Sequence, residues 1–515
     1  MPTTNGSTLG AVGQTYLAQI ETQLATLVSQ GRYKHAEALV ASLASLRSSI
    51  HTLPPELLSE IFFWTCGPRN ADLSWPELDP AEHRDDEDEV DEQTGALQAA
   101  VRLSHVCASW RKVALETPRL WATIPPIRVP DGMPDKAFAL LVKKFLARSR
   151  SLSFPLFYGP PLRQSLRRHL VSNMSRVDAM RILNAEILAD MMGTKCPCLE
   201  HLEYLLLDFS RQTDWPGGEL LRRNTPQTPA FLTARKLARV KLFDTPLASL
   251  FLPWAQLTDL DMRPFHTSAA QTFDALRQCT AAVRICVVTG CWSAIEPAPC
   301  APHLLPRLEQ LEIVFSDGTG SPEDTENENM TPMFRGLALP ALKDLKLDTI
   351  GYAWPAGTHS EFTDFLRRAP HVDTLEFSSE FDAVALRDIL AVTPSLRELS
   401  LDNCSNAMGD PVIEYLTYDP NSIQAPSVPQ LRILRVDHHG SRSGRGIDQT
   451  KLQTMIESRW SGFLQGLTED KRTQVSPWKK VVFRNWQRGT ENFWTVPFCA
   501  RVAELKHSGL IITMK

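Results

Sequence analysis

A six-residue phrase, apolar-x-x-apolar-x-apolar, recurs through most of this chain and restricts the fold more than any other feature. Its copies are Leu199-Leu202-Tyr204, Leu237-Val240-Leu242, Leu257-Leu260-Met262, Val283-Cys286-Val288, Leu308-Leu311-Ile313, Leu342-Leu345-Leu347, Val372-Leu375-Phe377, Leu396-Leu399-Leu401 and Leu431-Leu434-Val436. The last two apolar positions are two residues apart, so they point to one face of a short strand. The first closes the turn that leads into it. Spacers after the strands have room for helices, and Gln271 to Leu276, Phe362 to Arg368 and Ala383 to Ala391 carry helical periodicity. One such unit cannot bury its own apolar face, so the copies must stack into an α/β solenoid with parallel strands.

Copies follow one another at roughly 20 to 40 residues, the range of irregular leucine-rich repeats. Val283 to Cys291 and Leu396 to Cys404 also fit the longer consensus L-x-x-L-x-L-x-x-[N/C]. Cys291 and Cys404 are accordingly expected as ladder residues facing the core. The other copies lack that Asn or Cys, which predicts an irregular array. Ser316 to Thr331, Asp410 to Pro429 and His438 to Gln449 interrupt it and are rich in Gly, Pro, Ser, Asn or charge, the composition of surface loops. Beyond them, Leu452 to Phe463 reads as helix, Lys480 to Phe483 as strand and Ala500 to Lys506 as helix. Gly509 then turns the chain into a closing strand from Leu510 to Met514.

If the strands line a concave face, the residue between the last two apolar positions points away from the core. That row is expected to hold Glu203, Lys241, Asp261, Val287, Glu312, Lys346, Glu376, Ser400 and Arg435, and the next one Phe243, Arg263, Asp348, Asp402 and Asp437. Of these, Lys241, Asp261, Arg263, Lys346, Asp348, Glu376, Asp402, Arg435 and Asp437 are the candidate contacts for a protein partner.

No catalytic constellation stands out. Cys196-Pro197-Cys198 has too short a spacer for a zinc knuckle, and the spacings of Cys279, Cys286, Cys291, Cys300 and His303 match no zinc motif. His438-His439 lies in a Gly- and Ser-rich stretch that reads as a solvated turn. No Gly-rich phosphate loop or G-x-S-x-G elbow occurs. An enzyme is therefore not expected, nor a cofactor or metal. A net charge of -5 argues against a dedicated nucleic-acid binder. With no signal-peptide pattern after Met1 and no apolar run near the roughly 18 residues of a membrane span, a cytoplasmic or nuclear location is expected. The ten cysteines lack regular pairing and fit reduced thiols.

The N-terminal quarter is different. Ala11 to Ile50 has helical periodicity, with a break expected at Gly31. Leu53-Pro54-Pro55-Glu56-Leu57-Leu58-Ser59-Glu60-Ile61-Phe62 follows, and then Leu103 to Leu115 closed by Thr117-Pro118-Arg119-Leu120-Trp121. Leu57, Ile61 and Trp64 share one helical stripe, as do Val106, Trp110 and Val113. Gly67 to Ala96 separates the two pieces and contains the acidic run Glu82 to Glu92, which should be a solvated, disordered insertion.

These two pieces resemble an F-box, the adaptor-binding module of cullin-type ubiquitin ligases, and the order of helix, box and repeats is similar to large leucine-rich fungal F-box proteins. The resemblance implies an N-terminal helical segment over 1–50, an F-box-like domain over 51–125 with its insertion at 67–96, and a leucine-rich-repeat solenoid over 126–515. It further implies a non-catalytic substrate receptor of a Skp–cullin–F-box ligase. Leu53, Pro54, Leu57, Ile61, Val106, Trp110 and Arg111 would contact the Skp-type adaptor, and the repeats would hold a protein substrate. A repeat scaffold acting outside any ligase is the alternative.

Overall fold

The computed structural model describes parts of residues 19–35, then 53–66, 99–122, 135–158 and most of 170–514. Within that last span, 189–198, 211–229, 293–300, 317–329 and 438–446 are the longest stretches outside the described residues. The acidic run, Cys291 and His438-His439 also fall outside. The chain divides into two compact units, one from Met1–Pro126 with Leu140–Leu152, the other from Ile127–Ala139 with Ser153–Lys515.

In the first unit, Gly31 ends a helical stretch with φ +70°, and Arg32 N–H reaches back to the Leu27 carbonyl at 3.0 Å. Glycine takes this left-handed geometry without steric cost. Helix α1, Pro55–Thr65, starts on two prolines, which suit a first turn whose N–H groups have no intrahelical partner. A second helix covers 99–106 and stops at Cys107, whose extended backbone and Sγ cap helix α2, Ala108–Glu116, by accepting Trp110 N–H at 3.4 Å. The stripe expected to run from Val106 to Val113 is thus broken. A cap forces Val106 and Val113 onto different helices. A 3-10 turn, Pro118–Trp121, tucks Trp121 beneath α2, where its indole N–H donates to the Ala114 carbonyl at 2.7 Å. Leu58, Phe62, Ala100, Val113, Ala114, Leu120, Trp121 and Phe145 form the core, and Trp121 stacks on Phe145 at 5.7 Å.

The second unit is a mixed α/β structure of the leucine-rich-repeat-like solenoid type. Thirteen parallel strands among the described residues make one sheet in sequence order. They are β1 Phe154–Tyr158, β2 Val177–Ile182, β3 Tyr204–Asp208, β4 Arg239–Phe243, β5 Asp259–Arg263, β6 Arg284–Thr289, β7 Gln310–Phe315, β8 Asp344–Ala353, β9 Thr374–Glu380, β10 Glu398–Asp402, β11 Ile433–Asp437, β12 Lys480–Arg484 and β13 Ile511–Met514. Strict sequence order is what a stacked repeat requires, since each copy can pair only with its neighbours.

Seven of the nine phrases lie in the expected register, with all three apolar residues buried. Two are displaced. In β6 the core residues are Ile285 and Val287, and Cys286 faces outward between Asp261 and Glu312. In β3 they are Leu205 and Leu207, so Leu206 occupies the outward row and Glu203 lies in the preceding turn. β1 and β2 add two strands that the phrase does not mark.

Backbone pairing locks the stacking at each turn. The Glu203 carbonyl accepts Ala238 and Arg239 N–H, the Ala238 carbonyl accepts Thr258 and Asp259, and the pattern continues to Arg432, which accepts Lys479 and Lys480. Helices pack on the buried rows: α3 Ala269–Gln278, α4 Thr331–Gly336, α5 Thr358–Arg367, α6 Ala383–Ala391, α7 Asp410–Leu416, α8 Gln449–Ser458 and α9 Val496–His507. Ser268, Asp382 and Asp448 cap α3, α6 and α8 through their side-chain oxygens. Phe334 meets Phe315, Phe362 and Phe365 at ring distances of 6.1, 4.9 and 5.7 Å, joining adjacent repeats.

The expected loop from Asp410 to Pro429 instead opens with α7, which buries Val412, Ile413 and Leu416. Pro411 at its start suits a first helical turn and does not break it. Gly509 turns with φ +99° into β13.

Candidate interaction surfaces

On the first unit, α1 carries two apolar stripes. Leu58 and Phe62 enter the core, and the ring of Phe62 lies 4.9 Å from that of Trp110. The other stripe is in solvent, with Leu57 53%, Ile61 40% and Trp64 64% exposed. Val106, at the end of the 99–106 helix, is 59% exposed. Soluble surfaces carry single exposed leucines at little cost, and larger contiguous apolar patches are characteristic of interaction sites.

The other candidates are placed differently. Pro54 is exposed and caps α1, and Leu53 is half-buried. Trp110 is drawn inward against Phe62, and Arg111 spends its Nε–H on the Ser104 carbonyl at 2.9 Å. Arg119 pairs with Glu60 and lies over the ring of Phe63 at 4.9 Å, fixing the 3-10 turn against α1. Trp64 is absent from the candidate set read from sequence. Its signal was its place in the stripe with Leu57 and Ile61.

In the repeat array, the outward row runs Arg181, Leu206, Lys241, Asp261, Cys286, Glu312, Lys346, Glu376, Ser400 and Arg435. Most of its charges are paired, within the row or with a neighbouring one. Lys346 Nζ sits 3.1 Å from Glu312 and 3.6 Å from Glu376. Burial pulls its ammonium down, but the two carboxylates outweigh burial and hold it above the ordinary lysine value. Asp261 accepts from Arg263 at 3.0 Å, and Arg435 pairs with Glu398. The neighbouring row gathers Asp348, Ser378, Asp402 and Asp437 on four consecutive strands, and Phe243 beside Arg263 further up the array. All nine candidate residues on this face are partly accessible.

Ladder chemistry explains further side chains. Cys404 is buried and lies 3.3 Å from the Phe377 carbonyl. Thr245 takes the equivalent place after β4, its hydroxyl turned to the Leu207 and Phe243 carbonyls. The Asn/Cys consensus hides it.

Burial pushes the thiols of Cys279 and Cys404 up to about 12, so both stay protonated at neutral pH and are poor nucleophiles. Among the described residues, no group of three or more His, Cys, Asp or Glu could hold a metal ion. No described helix is long and apolar enough to cross a membrane.

The fold and these two surfaces define a class, a parallel-strand repeat array with a separate small helical unit bearing an exposed apolar face. No family model matches the chain and no curated protein matches it. Among solved structures it is similar to the crystal structure of the Rad7 and Elc1 complex in yeast, at 12% identity over 81% of this chain and 96% of that chain, with a TM-score of 0.29. It is also similar to the TLR13–ssRNA13 complex, at 12% identity over 59% of this chain and 43% of that chain, with a TM-score of 0.24.

Proposed function

We propose that this chain is a protein-recognition subunit whose helical unit docks on a Skp-type adaptor of a cullin–RING ubiquitin ligase and whose repeats hold a protein substrate. The observation that carries this reading is the solvent-exposed set Leu57, Ile61, Trp64 and Val106 on a unit that already has its own core. Tryptophan is enriched among the few residues that carry most interface energy, and covering the exposed aliphatic side chains beside it removes apolar area from water. Leu53 and Pro54 at the start of α1, with Trp110 and Arg111 on α2, complete the proposed adaptor contact. The repeat face, polar and partly accessible through Lys241, Asp261, Arg263, Lys346, Asp348, Glu376, Asp402, Arg435 and Asp437, is the proposed substrate surface.

Such a subunit needs no reactive group of its own. It raises rate by holding a target lysine close to the charged ubiquitin carrier, which multiplies its effective concentration.

Co-expression with a Skp-type adaptor followed by size exclusion tests the reading, and a stoichiometric complex is expected. Leu57→Asp with Ile61→Asp should remove the complex and leave the far-UV spectrum and melting temperature of the chain unchanged. If no complex forms with the unaltered chain, or if the double variant still binds, the adaptor reading fails. The repeat array would then act as a scaffold outside a ligase. Deleting residues 67–96 and repeating the measurement shows whether the insertion limits adaptor binding.

A further inference from the structure

The turns that lead into successive strands present a ladder of side chains as regular as the sheet. Glu309, Lys343, Asp373, Arg397, Arg432 and Lys479 occupy equivalent places, each N–H donating to the carbonyl of the one before. The first four alternate in sign and neutralise each other, Lys343 with Glu309 at 2.9 Å and Arg397 with Asp373 at 3.7 Å. The alternation then stops. Arg397, Arg432 and Lys479 stack three cations in a row, with Lys480 beside the last, and the first three are exposed. Segments 420–436 and 473–490, which supply the last two turns and strands, contain no Asp or Glu. The nearest acid on the adjoining strand, Glu398, is committed to Arg435. Among the described residues Arg432, Lys479 and Lys480 form no ion pair.

Like charges directly opposite one another in a sheet are destabilising. The steps from Glu309 to Arg397 avoid that arrangement. Asp178 and Glu203 make one like-charged step near the start of the ladder, but the run at its end is longer, three cations in succession, and suits an anionic partner. We propose that the turns entering β11 and β12 bind an acidic peptide segment of a partner protein. Neighbouring strands are about 4.8 Å apart, so the three cations span about 10 Å. Same-side residues of an extended peptide recur at about 6.7 Å, so two or three acidic side chains fit this span. A long polyanion fits poorly. β10 and β11 end in Asp402 and Asp437, and a nucleic-acid strand continuing along them would meet like charge. The proposal does not depend on the adaptor reading.

The test is fluorescence anisotropy with a labelled octapeptide of Asp and Glu titrated with the full chain. Arg432→Gln with Lys479→Gln should weaken binding at least tenfold, and Lys343→Gln, in the neutralised part of the ladder, should leave it unchanged. Because the double variant removes like-charge stacking, its melting temperature should equal or exceed that of the unaltered chain. Should it fail to fold, Lys479→Gln alone should weaken binding at least threefold. The proposal is overturned if the unaltered chain does not bind the peptide, if the double variant binds equally well, or if an oligothymidylate or inorganic phosphate binds more tightly than the peptide.

Discussion

Helix α1 and strand β10 use the same residues to opposite ends. In β10, Leu399 and Leu401 are fully buried, and the residues between and after them are polar. In α1, Leu58 and Phe62 are buried while Leu57 and Ile61, one residue before each, stand in water. A repeated phrase must bury its apolar positions, because every copy needs its neighbours to exclude solvent. A helix that occurs once has no such obligation. Once its inner stripe is satisfied, a second stripe is available for another molecule. Apolar recurrence along a chain therefore reports on the core, and apolar excess within a single element reports on an interface.

The largest effect that separates the two stripes is expected on α1 itself. Phe62→Ala removes a fully buried ring packed on Trp110 and should destabilise the first unit by about 3–5 kcal/mol. Leu57→Ala, five residues earlier on the outer stripe, should change stability by less than about 0.5 kcal/mol. Urea denaturation followed by tryptophan fluorescence measures both. A loss of more than about 2 kcal/mol for Leu57→Ala would mean that the outer stripe is covered by this chain, and the contrast between α1 and β10 would collapse.

The array should also respond to alkali through its buried thiols. The folded chain holds the protons of Cys279 and Cys404 up to about pH 12, against an ordinary value of 9.0. A raised folded-state value means that this contribution to stability is complete below about pH 9 and is lost as pH rises toward 12. Each thiol adds a slope of at most about 1.4 kcal/mol per pH unit in that window. Cys279→Ser with Cys404→Ser should flatten the fall in melting temperature between pH 9 and 11. Serine can still donate to the Ala275 and Phe377 carbonyls that face these sulfurs. An unchanged pH profile in the double variant would show that the alkaline loss originates elsewhere.

Why some of this was legible in the sequence, and some not, follows from the same contrast. Seven copies of the phrase fell into register because polar residues alternate with apolar ones, as in Glu398-Leu399-Ser400-Leu401-Asp402. β6 reads Ile285-Cys286-Val287-Val288 and β3 reads Tyr204-Leu205-Leu206-Leu207, runs that are apolar on both faces. A period of two cannot be read from a continuous run, so one copy slipped by one residue and the other stopped short of its core pair. The charged rows were legible as positions on a strand. Their mutual pairing was not, because it depends on which side chain lies across each strand gap. On α1 the spacing of Leu57, Ile61 and Trp64 was visible, but spacing alone does not tell the inner stripe from the outer one. Cys107 hid its role as well, since a cysteine seldom serves as a helix cap.

The smallest effect concerns exposed positions, where the first unit and the array should again diverge. Asp244 and Asn403 occupy the same place in two repeats, directly after β4 and β10, with φ of 48° and 53°. Their N–H groups donate to the Arg263 and Asp437 carbonyls at 3.0 and 2.9 Å, so the left-handed geometry is set by pairing with the next repeat. Asn and Asp tolerate this geometry better than other residues with a side chain, and Gly tolerates it best. Asn403→Ala should therefore cost about 1 kcal/mol although Asn403 is exposed, and Asn403→Gly close to nothing. Ser109→Ala, at an exposed position on α2, should stay within about 0.5 kcal/mol. Thermal melts of the three variants decide the matter. Equal costs for Ala and Gly at 403 would show that the side chain of Asn403, and not its backbone, holds the turn.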